Sequence, residues 1–297
     1  MLDFQKRLED PGNFPKVVLI DTITHCNLRC SMCGHPFMTR PKGKMSMSLF
    51  KKIIDEIASV DPGTRVWMVF YGEALLLKYK LLWMISYAKK KGLTDVVLNS
   101  NGTLLDEEMA VGLIDAGLDA LYIGIDAFDK ETYEKLRVGG NYDNVVKNVN
   151  RMLEIKKEMG VSHPEVYVQF VEMEDNAHQL EDFKTYWSEK GAIVKIRPKV
   201  TWAGAVKPYK MIERERYPCH WGMQSFNILW DGKVALCAVD YDGRYIAGDI
   251  SKESIKSVWA GSLKKIRKMH AEGHYDDLPE FCRNCKDWQA AKSTYYQ

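Results

Sequence analysis

The stretch "KVVLIDTITHCNLRCSMCGH" (16–35) joins an apolar run of strand type directly to a loop that carries cysteines. These cysteines have the spacing C-x3-C-x2-C and are Cys26, Cys30 and Cys33. Thiolates suit both iron–sulfur clusters and zinc. A structural zinc site normally has four ligands, so His25 or His35 would have to complete it. A four-iron cluster held by three thiolates would instead leave one iron open to an external ligand.

Further strand-type runs follow this loop and alternate with segments of helical spacing as far as residue 200. The later strands are predicted at 65–70, 95–100, 120–126, 165–171 and 193–200, and helices at 48–60, 76–91, 106–117, 129–137, 142–159 and 177–191. Repeated βα units predict a parallel sheet, so the fold class is α/β, with a partial (β/α)6 TIM-like barrel. The cysteine loop then lies among the strand ends that build the active site in such barrels.

The alternation stops after residue 200, and a second cysteine group appears near the carboxyl end. Its members are Cys219, Cys237, Cys282 and Cys285. Two strand-type runs joined by Asp231 and Gly232 predict a hairpin, and residues 254–273 predict one helix ending at Gly273. We divide the chain into a core (1–200), a linker (201–218) and a small α+β domain (219–297). Four thiolates there would close a zinc site or hold a complete cluster.

The overall composition excludes several classes of function. The 297 residues carry a formal net charge of +2 and 28% charged residues, so no bulk field indicates nucleic acid or acidic membranes. The polar N-terminus has no signal-peptide pattern. The most apolar run, residues 73–87, is interrupted by Lys78 and Lys80 and is too short to span a bilayer. We therefore expect a cytoplasmic protein, where seven cysteines indicate metal or redox chemistry.

The N-terminal region resembles the radical S-adenosylmethionine (SAM) superfamily. The resemblance rests on the cysteine loop, on "YGEA" (71–74) at the end of the second strand, and on "NSNGTLL" (99–105) and "YIGIDAFDKETYEKLR" (122–137). It implies that the cysteines hold a [4Fe–4S] cluster whose open iron binds SAM. One electron then cleaves SAM to a 5′-deoxyadenosyl radical, which abstracts hydrogen from a substrate.

The same resemblance implies which residues contact SAM. Gly72 and Glu73 match the motif that binds the methionine amino group, although Tyr71 and Ala74 replace its usual first glycine and its proline. The other candidate contacts are Asn101, Asp126, Arg137 and Met32. Gly124 stands where relatives often have serine, so one expected polar contact to the cofactor is missing.

The C-terminal region resembles the SPASM/Twitch auxiliary domains of that superfamily. Four cysteines match the shorter Twitch form, which implies one auxiliary [4Fe–4S] cluster in addition to the SAM-binding one. Their spacing is most similar to the dehydrogenase that oxidises 2-deoxy-scyllo-inosamine. Without the neighbouring radical SAM region, zinc would be the favoured occupant of four thiolates.

Two clusters would occupy every cysteine, which leaves no spare thiol to return hydrogen to a substrate radical. We therefore expect oxidation of a carbinol carbon in a small sugar, cyclitol or aminoglycoside-type substrate, with the auxiliary cluster accepting an electron. Arg197, Glu172 and Tyr217 are candidates for proton acceptance or alcohol binding. A flavodoxin or ferredoxin would supply the first electron. The alternatives are a radical SAM epimerase, a peptide-modifying enzyme, and a non-catalytic zinc-stabilised binding protein.

Overall fold

One continuous sheet of nine strands dominates the computed structural model, which describes residues 12–69 and 71–292. The strands are β1 (Val17–Ile20), β2 (Arg65–Trp67), β3 (Val96–Ser100), β4 (Ala120–Gly124), β5 (Glu165–Glu172), β6 (Ile193–Pro198), β7 (Ser225–Ile228), β8 (Lys233–Ala235) and β9 (Ile246–Asp249). Their order across the sheet is β6-β5-β4-β3-β2-β1-β7-β8-β9. Strands β1 to β6 pair in parallel with their sequence neighbours, which confirms the α/β class and the six predicted strands.

The predicted hairpin is confirmed, but it does not stand apart from the barrel. β8 pairs antiparallel with β7 and β9, while β7 pairs in parallel with β1, from Val17 opposite Ser225 to Ile20 opposite Ile228. All four residues of β1 are buried. Because β2 pairs with only one edge of β1, the N–H and C=O groups of the other edge would be buried without partners if β7 were absent.

Helices alternate with the parallel strands and continue beyond β9. They are α1 (Met47–Val60), α2 (Tyr79–Lys90), α3 (Glu107–Asp115), α4 (Lys130–Leu136), α5 (Tyr142–Glu158), α6 (Leu180–Glu189), α7 (His220–Gln224), α8 (Ile255–Ala260), α9 (Ser262–Ala271) and α10 (Glu280–Arg283). Short 3-10 turns lie at His35–Phe37, Ala74–Leu77, Ala177–Gln179, Tyr275–Asp277 and Asp287–Lys292. Among the described residues, no helix has both the length and the apolar character needed to cross a bilayer.

Two predicted helix boundaries are wrong for local reasons. α1 begins at Met47, one residue before the predicted start at Ser48. The Ser46 hydroxyl caps the helix by accepting a hydrogen bond from the Leu49 N–H at 3.2 Å. The single helix predicted over 254–273 is two helices, α8 and α9. Gly261 leaves the helical region there (φ −94°, ψ −107°), and a Cβ would lie 2.9 Å from the Ser257 carbonyl oxygen.

The two faces of the sheet form two apolar cores. Phe50, Leu81 and Phe183 belong to the core that lies between the sheet and the outer helices. On the opposite face, Trp67 and Tyr122 share a second core with Trp221, Leu236 and the other buried residues of the C-terminal region. The C-terminal region therefore covers the inner face of the partial barrel, and the site lies between the two.

Candidate active site

A cavity of about 220 Å³ lies at the carboxyl ends of the parallel strands. Its walls include the N-terminal cysteines, every candidate SAM contact and one candidate catalytic residue: Cys26, Cys30, Met32, Cys33, Gly72, Glu73, Asn101, Asp126, Arg137 and Arg197. The apolar part of the lining includes Leu19, Trp67, Val69, Trp221 and Val239. The structure therefore brings the N-terminal cysteines, the candidate SAM contacts and one candidate catalytic residue to a single space.

Each sulfur of the cysteine loop lies beside a hydrogen-bond donor. The Leu28 N–H donates to Cys26 Sγ at 3.5 Å, and the His35 N–H donates to Cys33 Sγ at 3.4 Å. The guanidinium of Arg137 donates to Cys30 Sγ at 3.8 Å. Burial raises the pKa of all three thiols, and it raises that of Cys33 to about 12. The loop thus holds protonated thiols when free and offers donors to sulfur that becomes negatively charged on metal binding.

These raised pKa values fix the pH dependence of cluster loading. Each thiol must lose a proton to bind iron, and below its raised pKa it still holds that proton. Because burial raises these pKa values above that of an ordinary thiol, about 8.5, we expect cluster content at limiting iron and sulfide to keep rising with pH above about 8.5. Iron and sulfide per chain measure it, and proton uptake instead of release in weakly buffered solution would contradict the expectation.

The Glu73 carboxylate is fixed by three donors at the ends of β2 and β3. Its Oε1 accepts hydrogen bonds from the Leu75 N–H and the Ser100 hydroxyl, both at 3.0 Å, and its Oε2 accepts one from the Asn101 N–H at 2.7 Å. Burial raises its pKa. The carboxylate lines the cavity while fully held in place, which suits it to receive an ammonium group.

Gly72 allows the Glu73 loop to contact the cysteine loop directly. A Cβ at this position would lie 2.0 Å from the Ile23 carbonyl oxygen, and the next residue donates its N–H to the His25 carbonyl at 2.9 Å. Only glycine fits such an approach between two main chains.

Asp126 and Arg137 are bound to each other. The Asp126 carboxylate is fully buried and accepts hydrogen bonds from the Arg137 Nε at 2.8 Å and from its Nη2, while the Val171 N–H donates to the other oxygen at 2.7 Å. A Cβ at Gly124 would lie 2.0 Å from Arg137 Nη2. The glycine that replaces the family's usual serine therefore makes room for the guanidinium between Asp126 and Cys30.

The four C-terminal cysteines line one small buried cavity of about 10 Å³. Burial raises the pKa of each thiol, and it raises that of Cys219 to about 12. Arg216 donates to the Cys282 carbonyl at 3.0 Å and to Cys282 Sγ at 3.9 Å, and the ring of His270 lies 3.7 Å from the same sulfur. Four convergent thiols with donors beside them form a donor set suited to an iron–sulfur cluster.

The three candidate catalytic residues lie in different places. Arg197, on β6, lines the central cavity. Glu172 forms an ion pair with Lys210 and lines a separate outer cavity. Tyr217 packs edge-on against Trp288 at 4.8 Å, in the apolar core that includes the C-terminal cysteines. The structure brings neither Glu172 nor Tyr217 to the wall of the central cavity.

Sequence reasoning missed Trp202 and Arg216, because it treated 201–218 as a linker. The indole of Trp202 donates to the Met32 carbonyl oxygen at 2.7 Å, beside the buried Met32 side chain. Asp287 fixes this segment by accepting hydrogen bonds from the Thr201 and Ala203 N–H groups. The available signal was the position of Trp202, four residues after the end of β6, because residues that follow a parallel strand lie near the cavity.

Comparison with known families identifies the two halves of the site. Residues 20–175 match the radical SAM superfamily, and residues 219–286 match an iron–sulfur cluster-binding domain, SPASM. The chain belongs to the radical SAM superfamily. It is therefore a radical SAM enzyme with an auxiliary iron–sulfur domain. Its cofactors are SAM, a SAM-binding [4Fe–4S] cluster and auxiliary [4Fe–4S] cluster content. The donor sets described above fit these groups.

Curated relatives of this radical SAM chain differ in their names. The "Probable GTP 3′,8-cyclase" of Methanococcus maripaludis is 34% identical over 172 residues, 58% of this chain and 54% of the relative. The "Tungsten-containing aldehyde ferredoxin oxidoreductase cofactor-modifying protein" of Pyrococcus furiosus is 26% identical over 172 residues, 58% of this chain and 48% of the relative. The chain thus spans about half the length of these relatives.

Solved radical SAM structures share the fold over most of the chain. BtrN in complex with AdoMet and 2-DOIA has a TM-score of 0.62 at 20% identity and covers 91% of this chain and 92% of its own. Streptococcus suis SuiB bound to the precursor peptide SuiA has a TM-score of 0.70 at 12% identity, covering 90% and 69%. At these identities the likeness concerns the fold.

Proposed function

We propose that this chain oxidises a hydroxyl-bearing carbon of a small anionic substrate, and that the auxiliary cluster accepts one of the two electrons. The proposal assigns Cys26, Cys30 and Cys33 to the SAM-binding cluster and the four C-terminal cysteines to the auxiliary cluster. A flavodoxin or ferredoxin in the cytoplasm would supply the electron that starts turnover.

The charge of the central cavity supports an anionic substrate. Glu73 is held by three donors, and Asp126 and Arg137 neutralise each other. Arg197 also lines the cavity, yet in the part of the chain that the structure describes no carboxylate lies within ion-pair distance of it. A guanidinium without a carboxylate partner favours a carboxylate or phosphate ligand over an ammonium group. This observation carries the substrate assignment and disfavours aminocyclitols.

Lys195 adds to the positive character of β6. It lies two residues before Arg197, on the same face of the strand. Burial, together with the guanidinium groups of Arg197 and Arg65, lowers its pKa to about 8. An anion bound at Arg197 would also be attracted by this second cation.

Asn99 supplies a position for the reacting hydroxyl. Its side-chain oxygen is buried and accepts no hydrogen bond from the described residues, and the residue lines the cavity at the end of β3. A substrate hydroxyl that donates to this oxygen would satisfy it. Arg197 and Asn99 would thus fix two ends of the substrate and orient the carbon between them.

The oxidation balances: the one electron that reductive cleavage of SAM would consume, with release of methionine, is matched by the one electron that the substrate radical gives up. The cofactors, when bound, supply a radical that takes the hydrogen atom from the carbinol carbon and becomes 5′-deoxyadenosine. The hydroxyl proton passes to water and one electron passes to the auxiliary site, which leaves a ketone. All seven cysteines belong to the two cysteine sets, so the described cavity offers no additional thiol for hydrogen return.

Deuterium transfer tests the proposal. The anaerobic holoenzyme would be supplied with SAM, a reductant and carbinol-deuterated myo-inositol 1-phosphate, myo-inositol or scyllo-inosamine. We expect deuterium in 5′-deoxyadenosine, and a product two hydrogens lighter, from the phosphate alone. Label from the amine alone would contradict the charge assignment. An inverted product in which solvent hydrogen replaces the deuterium, with no other hydrogen lost, would indicate epimerisation.

The names of the cyclase relatives support a second candidate within the same site. Those relatives are named for GTP, which is also an anion, so Arg197 suits a nucleoside triphosphate as well. Deuterated GTP in the same assay would distinguish the two. A cyclised product that regains an electron and a solvent proton differs from the substrate only by hydrogen in place of deuterium, whereas oxidation removes the deuterium and one further hydrogen.

Replacing Arg197 tests its role separately. For Arg197→Met we expect KM for an anionic substrate to rise about 100-fold, the equivalent of about 3 kcal/mol for a charged hydrogen bond, with a smaller rise for Arg197→Lys. Cleavage of SAM in the absence of substrate should be unchanged. Lys207→Met, which removes an exposed cation of the following segment, is the control. An unchanged KM in Arg197→Met would refute the assignment.

A further inference from the structure

Two aromatic side chains cross the space between the N-terminal and C-terminal cysteine sets. Trp202 and Tyr71 both line the central cavity, and their ring centroids are 5.5 Å apart with planes inclined at 57°. Tyr71 occupies the first position of the "YGEA" segment, where the family pattern has glycine. The ring contact therefore exists only because this chain has tyrosine where the family pattern has glycine.

Each ring is hydrogen-bonded to the main chain beside a cysteine. The Trp202 indole donates to the carbonyl oxygen of Met32, the residue before Cys33, at 2.7 Å. The Tyr71 hydroxyl donates to the carbonyl oxygen of Ala238, the residue after Cys237, at 2.8 Å. A continuous route of covalent bonds, two hydrogen bonds and one ring contact thus joins the two cysteine sets.

The main chain of the cysteine loop lies directly against these rings. A Cβ at Gly34, next to Cys33, would lie 3.0 Å from Trp202 atoms and 2.9 Å from the ring of Tyr241. Tyr241 in turn lies edge-on to Tyr71, with centroids 6.5 Å apart. Glycine at this position therefore removes the side chain that would otherwise separate the loop from the aromatic pair.

We propose that Trp202 and Tyr71 form an electron-transfer bridge between the two cluster sites. Electron tunnelling falls exponentially with distance and is faster along bonds, hydrogen bonds and packed rings than across open space. Without the two rings, the cavity itself would separate the two sites. The bridge keeps a bonded route along the cavity wall while leaving the cavity free for substrate.

The bridge reduces the number of electrons that an external reductant must supply in each turnover. One electron leaves the auxiliary site, which is oxidised, and enters the N-terminal site, which is reduced, with no proton or further reagent required. The inference rests on the proposed function only for the source of that electron, the oxidised substrate. Transfer between the two sites can be measured with no substrate present.

Cryoreduction tests the bridge in the holoenzyme with SAM bound. Frozen samples are reduced by irradiation and then annealed in steps, while electron paramagnetic resonance follows each cluster signal. The signals are assigned with the variants Cys33→Ala and Cys285→Ala. We expect redistribution of the electron between clusters to slow by an order of magnitude in Trp202→Leu and severalfold in Tyr71→Phe, with both midpoint potentials unchanged.

Controls separate electron transfer from structural damage. Trp83→Leu removes an exposed tryptophan on α2 and should redistribute electrons at the wild-type rate. If Trp202→Leu fails to load its clusters, the double variant of Tyr71→Phe and Trp202→Phe keeps an aromatic ring at both positions and removes both hydrogen bonds. Wild-type redistribution in that double variant and in Tyr71→Phe would overturn the proposal, whatever the substrate proves to be.

Discussion

Gly72→Ala is expected to reduce SAM cleavage by at least about 100-fold while leaving the protein folded. The added methyl carbon would lie 2.0 Å from the Ile23 carbonyl oxygen and 2.9 Å from that of His25. Both obstacles are main chain and cannot rotate away, so the cysteine loop must move away from the Glu73 loop. Misplacement of reacting groups by about 1 Å costs about that factor. Formation of 5′-deoxyadenosine under reducing conditions is the measurement.

The control for this substitution is Gly63→Ala. A Cβ there meets only the Asp61 side chain, at 3.3 Å, in an exposed turn before β2. Circular dichroism should show both variants folded, because overpacking typically costs about 1–3 kcal/mol. Normal cleavage by Gly72→Ala would mean that the cysteine loop can shift without disturbing the cofactor site.

Single cysteine substitutions should divide the chemistry into two parts. Cys33→Ala removes one of three sulfurs of the N-terminal set, so we expect iron to fall from about eight to about four per chain and SAM cleavage to disappear. Cys285→Ala should lose a similar amount of iron but still cleave SAM, because the N-terminal set is intact. Substrate oxidation should disappear in both. Anaerobic iron and sulfide analysis with product assays measures these outcomes.

Ser31→Ala is the matched control for the loop, since its exposed side chain lies between two of the cysteines. Zinc in place of iron in the wild-type chain would contradict the cluster assignment. Complete loss of iron in Cys285→Ala would mean that the two sites do not load independently.

The sequence predicted the part of the site that follows from strand alternation. Cys26, Glu73 and Asp126 each follow a parallel strand, and the carboxyl ends of parallel strands share one edge of the sheet. Local spacing was therefore enough to predict that these residues meet. The hairpin at Asp231 and Gly232 was also predictable from local sequence, because two residues are enough to encode its turn.

Contacts between distant segments could not be predicted in this way. The Asp126–Arg137 pair depends on the absence of a side chain at Gly124, the last residue of β4, and the Trp202–Tyr71 contact joins residues 131 positions apart. Both depend on how closely separate elements approach, which no periodicity records. The same holds for β7, whose choice of β1 depends on an edge left open by the first six strands.

The pairing of β7 with β1 has a consequence for biogenesis. β1 is made before the other strands that the structure describes, but one of its edges is completed only when residues 225–228 have left the ribosome. Contacts so distant in sequence form slowly, and the loop that follows β1 is the one that carries the first three cysteines. We therefore expect the loop to take its final position only after Cys219, the first member of the second cysteine group, has been synthesised, because Cys219 precedes β7 in the chain.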